Sequence, residues 1–99
     1  MLFETIKVVQ LSMCVIMGIH DCPNIKQVEM ENEWTPAYYY YSDGEAHIHY
    51  DDNQIIDIGI ITHELSHHLE ETQGKDFKKT CIQYGGTNCD IHDKKKIMR

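Results

Sequence analysis

The stretch Ile60-Ile61-Thr62-His63-Glu64-Leu65-Ser66-His67-His68-Leu69-Glu70-Glu71 restricts this chain more than any other. Its residues recur with a helical period on two sides. Ile58, Ile61, Leu65 and Leu69 share one face, while Ile56, Ile60, His63, His67 and Glu70 share the other. A helix with apolar residues on both sides must be covered on both, so this segment is predicted to be the central helix of a packed domain.

The same stretch carries His-Glu-x-x-His. Residues four apart on a helix lie about 40° apart around the axis, so His63 and His67 project side by side and can place an imidazole nitrogen each on one metal ion. Glu64 sits roughly 100° round from His63, badly placed to join the same tetrahedral shell but able to reach a water held by the metal and take its proton. The spacing therefore encodes two metal ligands, His63 and His67, and a base, Glu64, with Zn2+ as the expected ion.

Ninety-nine residues with 41% hydrophobic content allow one domain with one modest core. Nine basic against sixteen acidic residues give a net charge of -7, which argues against a chain whose main task is gripping nucleic acid. Only the tail, Lys94-Lys95-Lys96 to Arg99, is locally basic, as a solvated end commonly is. The apolar run over residues 8–19 is interrupted by Gln10, Ser12 and Gly18 and is too short to span a bilayer. Glu4 and the lack of a small-x-small site before Asp21 argue against a secretory leader, so a cytoplasmic location is expected.

Apolar residues at Leu2, Ile6, Val9, Met13 and Ile16, with further ones at Val8, Leu11 and Val15, predict a largely buried helix over residues 2–19, ended by Gly18, Asp21 and Pro23. Residues 28–34 alternate apolar or neutral with acidic, as a strand with one wet face does, and the acidic row Glu29, Glu31 and Glu33 would form that face. Ala37-Tyr38-Tyr39-Tyr40-Tyr41 reads as a second strand, and Ser42-Asp43-Gly44 as the turn into a third, Ala46-His47-Ile48-His49-Tyr50. Three short antiparallel strands are expected, with His47 and His49 on the more polar face as ordinary surface histidines.

Asp51-Asp52-Asn53 offer caps for the motif helix, which should run from about Gln54 or Ile55 to Thr72 and stop at Gly74. A short helix over residues 76–82, with Phe77 and Cys81 inward, should end at Gly85-Gly86, leaving residues 87–99 as a polar tail of the single domain. The cysteines form two pairs each eight apart, Cys14 with Cys22 and Cys81 with Cys89. A reducing compartment would leave Cys14 in a helix core and the others as thiols or secondary metal ligands; an oxidising one would favour a bridge between the two pairs.

An N-terminal helix, a small three-stranded sheet and then a helix bearing His-Glu-Leu-Ser-His resemble the minimal core of the zincin metallopeptidases. Within that clan, residues 62–67 followed by Gln73-Gly74-Lys75-Asp76-Phe77 are most similar to SprT-like peptidases, over roughly residues 50–82. The resemblance implies an α+β zincin-like domain in which His63 and His67 ligate zinc and Glu64 is the general base. It also implies a third ligand in a His-Gly-x-x-Phe or Trp segment, a place that Gln73 occupies here. Position 73 is thus expected beside the metal, with zinc held chiefly by two histidines; Glu70, Glu71, Asp76, Cys89, Asp90 and His92 are the rival ligands.

The function these readings imply is zinc-dependent hydrolysis of peptide bonds in a protein or peptide substrate. The alternative is a catalytically weak or inactive metal-binding module that engages a protein partner, a reading that Gln73 favours.

Overall fold

The computed structural model describes residues 2–28, 36–52 and 54–91. Among these, the elements run α1 (Phe3–Ile16), β1 (Asn24–Val28), β2 (Ala37–Ser42), β3 (Glu45–Asp51), α2 (Ile58–Gln73) and α3 (Phe77–Gln83), a small α+β domain of three helices and a three-stranded mixed sheet.

The hairpin forms where Asp-Gly stands. Asp43 and Gly44 both take positive φ, 52° and 79°, the left-handed pair that a two-residue turn needs to follow the twist of its strands. β2 and β3 pair antiparallel, with Tyr38 opposite His49 and Tyr40 opposite His47. The third strand departs from expectation. β1 covers residues 24–28 and pairs parallel to β3, with Ile25 opposite Ile48, in the order β1-β3-β2. Side-chain alternation is the same in parallel and antiparallel ladders, so the pattern carries no information on direction. The strand expected at residues 28–34 and its acidic row, Glu29, Glu31 and Glu33, fall outside the described residues apart from Val28, the last residue of β1.

One face of the sheet turns to the helices. Ala37, Tyr39, Ala46, Ile48 and Tyr50 are buried there, and they alternate with the half-buried Tyr38, Tyr40, His47 and His49 of the opposite face. Both buried phenols have hydrogen-bond partners: Tyr50 donates to Gln10 Oε1 at 2.7 Å, and Tyr39 Oη lies 3.0 Å from His68 Nδ1. Gln10 in turn donates from Nε2 to the Pro23 carbonyl at 2.9 Å, which explains a buried amide inside α1.

α1 buries one stripe, Ile6, Gln10, Met13 and Cys14, rather than being largely buried as expected. Leu2, Val8, Leu11, Val15 and Ile16 remain 60–81% exposed, because the packed side of the helix takes only one row of its apolar residues. α2 is buried as expected. All residues from 61 to 69 are buried, and Ile61, Leu65 and Leu69 each contribute about 1.5–3 kcal/mol by leaving water. Ile58, expected on the buried face, is 52% exposed at the first turn. The helix is capped by Asp57, whose Oδ1 accepts from Ile60 N at 2.9 Å, and not by residues 51–53, and it ends at Gly74 in a left-handed cap.

Two disulfides close within the pairs, Cys14–Cys22 and Cys81–Cys89, so neither a bridge between the pairs nor free thiols are found. The physical reason is local: the chain doubles back just after α1 and just after α3, bringing the Cα atoms to 5.8 and 5.6 Å. Each short loop closure stabilises by about 2–3 kcal/mol, a useful staple for so small a core. No helix among the described residues is long and apolar enough to cross a membrane.

Candidate metal centre

His63 and His67 stand one turn apart in the buried middle of α2, where their backbone has no freedom to separate them. Their ring centres are 4.9 Å apart and their planes cross at 79°. Two imidazoles bound tetrahedrally at a zinc–nitrogen distance of about 2.0–2.1 Å have ring centres roughly 5 Å apart, the spacing of this pair. Phe77, at the start of α3, touches both rings: it stacks on His67 at 4.1 Å and 9°, and meets His63 edge-on at 5.0 Å. α3 is set in place by Asp76, whose Oδ1 accepts from Lys79 N at 2.9 Å.

The tautomer of His63 follows from its neighbour. Nδ1 lies 2.8 Å from the Thr87 carbonyl oxygen, which can only accept, so Nδ1 carries the hydrogen; in a neutral imidazole the lone pair is then on Nε2. Glu64 Oε2 is 3.9 Å from that Nε2, beyond hydrogen-bond range and within reach of a water between them. Both side chains are almost wholly buried. The Glu64 charge reaches Tyr50, whose phenol is pushed well above its ordinary range, by burial first and by Glu64 second.

A cavity of about 160 Å³ opens over this corner, lined by Pro36, Ala37, Ile60, His63, Glu64, Thr87, Asn88 and Ile91. At about 30 Å³ per water it admits a few waters or one small polar group. His67 does not line it and lies deeper.

Several expected partners are elsewhere. Gln73, expected beside the metal, is the exposed last residue of α2. Because the helix continues through it, it lies about 9 Å along the axis from His67 and some 240° around it, and the fold-back that would bring it to the rings does not occur. Asp76 is occupied as a cap, Cys89 is in a disulfide, and Asp90 pairs with Lys78 at 2.8 Å on the surface. Glu70 and Glu71 are partly exposed one turn further along α2, and His92 lies outside the described residues. No cluster of three or more His, Cys, Asp or Glu suited to a metal gathers among the described residues.

Two features escaped the sequence. His68, next to the motif, is fully buried with both ring nitrogens engaged, Nδ1 by Tyr39 and Nε2 by Asp21 Oδ1 at 3.2 Å, and so ties α2 to the sheet and to the loop after α1. Thr87 belongs to the stretch expected as a polar tail, yet residues 87–91 supply three of the residues lining the cavity and the acceptor for His63. A backbone carbonyl has no sequence signature; the glycines that admit it, Gly59 and Gly86, were the available signal. Comparison with protein-family models, with curated proteins and with solved structures finds no match.

Proposed function

We propose that this chain is a zinc-dependent metallopeptidase of SprT-like, zincin type, with His63 and His67 as ligands and Glu64 as general base. The observation that carries the reading is the paired rings 4.9 Å apart on a buried helix, with the Glu64 carboxylate beside His63 Nε2 at the wall of a cavity. Bound at the two rings, zinc supplies Lewis acidity toward water and toward a peptide carbonyl oxygen. Glu64 takes a proton as the water oxygen bonds to the carbonyl carbon, and returns it to the amine nitrogen as the carbon–nitrogen bond breaks.

The sheet supports a peptide as the substrate. Among the described residues β2 ends the strand order β1-β3-β2, and Pro36 and Ala37 at its start line the cavity. An extended peptide pairing along such an edge would bring a backbone carbonyl to the Glu64 corner. A second reading, a metal-binding module that engages a protein partner without hydrolysis, is favoured by the exposed apolar residues of α1, Val8, Leu11 and Val15. The two disulfides favour an oxidising compartment over the cytoplasmic one expected from the sequence.

The test is hydrolysis of an unstructured protein by zinc-loaded native chain and by Glu64→Gln. Cleavage by the native chain, lost in the variant with zinc retained, supports the peptidase; equal rates in both contradict Glu64 as base, and no cleavage by either selects the binding module.

A further inference from the structure

Residues 84–89 form a loop pressed against the first turns of α2, and the backbone of Thr87 makes the hydrogen bonds across the contact. Thr87 N donates to the Gly59 carbonyl at 3.2 Å, and the Thr87 carbonyl accepts from His63 Nδ1 at 2.8 Å, so one residue is bonded to α2 through both of its peptide groups. The approach needs two residues without side chains. A Cβ on Gly59 would stand 2.5 Å from Thr87 Cγ2, and one on Gly86 would stand 2.5 Å from Cys81 Sγ and 3.3 Å from His63 N. The Cys81–Cys89 bridge closes this loop on both sides of Thr87, and Gly86 N donates to the Cys81 carbonyl at 2.8 Å inside it. α3, which carries Cys81, also carries Phe77 against the two rings.

We propose that the loop closed by Cys81–Cys89 is the positioning element of the metal pair: it holds His63 in the Nδ1–H tautomer through the Thr87 carbonyl and so reserves Nε2 for zinc. The zinc half of this rests on the peptidase reading above; the tautomer half does not. Groups that orient a ligand histidine through its other nitrogen change metal affinity by about 10–100-fold when lost. An eight-residue separation closed covalently keeps the carbonyl within reach of His63 while the rest of the loop, Gly85, Thr87 and Asn88, is exposed to water. Without the bridge the position of that carbonyl depends on hydrogen bonds, among them those of Thr87 to α2 and that of Gly86 N to the Cys81 carbonyl.

The experiment compares native chain, Cys81→Ser/Cys89→Ser, Cys14→Ser/Cys22→Ser and Gly86→Ala. Two quantities are read: the nitrogen-15 shifts of the His63 ring in metal-free protein, and zinc affinity by chelator competition. Native chain and the Cys14/Cys22 variant should show Nδ1 protonated and the same affinity. The Cys81/Cys89 variant should lose the Nδ1–H preference and bind zinc roughly 10–100-fold more weakly. Gly86→Ala displaces the loop with the bridge intact and should do the same, which keeps the test decisive if the serine variant fails to fold. An unchanged His63 tautomer in the folded variants overturns the proposal. If the tautomer shifts but native chain binds no zinc, the positioning stands and the peptidase reading fails.

Discussion

His63 Nδ1 and the Thr87 carbonyl oxygen meet at 2.8 Å across 24 residues of sequence. That one hydrogen bond joins the motif helix to a loop with no motif of its own, and it decides which nitrogen of the motif's first histidine faces Glu64.

The close approach behind this bond predicts the outcome of Gly59→Ala. Alanine in place of glycine ordinarily favours a helix by up to about 1 kcal/mol. Here the new Cβ would stand 2.5 Å from Thr87 Cγ2 and 3.2 Å from the capping Asp57 Oδ1, so the variant should instead lose about 1–3 kcal/mol as the loop is pushed off. Urea unfolding measures the difference; a variant as stable as native chain would show that the loop does not press on α2.

Gln73→His separates the structural reading from the alignment of position 73 with a ligand. Gln73 is exposed at the end of α2, so a histidine there should leave zinc affinity unchanged. Tighter binding in chelator competition would mean that the helix end folds back onto the rings.

His49 should titrate below the ordinary histidine range. Burial lowers its pKa first, and Lys26 and His47 add to it. Tyr38 Oη lies 2.8 Å from Nδ1 and Tyr40 Oη 3.1 Å from Nε2, and with both ring nitrogens protonated both phenols would have to accept. Since the folded pKa lies below the unfolded value near 6.5, the unfolded chain binds the extra proton first. The contribution to stability is full above that value and is lost as pH falls through the folded pKa. A proton NMR titration of the His49 ring checks the direction, and in His49→Gln the loss of stability between pH 7 and pH 5 should be smaller than in native chain.

What could be read from the chain is what local chemistry decides. Ile61, Leu65 and Leu69 announce a buried helix by period, Asp43-Gly44 a tight turn, and Gly74 a helix end, because each needs only its near neighbours. The parallel pairing of β1 with β3 was hidden, since alternation is blind to strand direction. The cap fell to Asp57 because helical geometry begins only at Ile58, later than the apolar pattern does. Cys14 and Cys22 bridge because of a turn after α1, and Cys81 and Cys89 because of one after α3. Of the candidate site, the histidine pair and Glu64 were visible in their spacing, whereas Thr87 acts through a carbonyl that every residue possesses.

One ion held by two rings on α2 is the central element of the proposed site. The most direct measurement is zinc content per chain, after gel filtration, of native protein, His63→Ala and His67→Ala, with folding verified by circular dichroism. About one zinc in native protein and little in either folded variant is the predicted result. Equal zinc in all three would place the metal elsewhere, and none in native protein would remove the metal from His63 and His67 altogether.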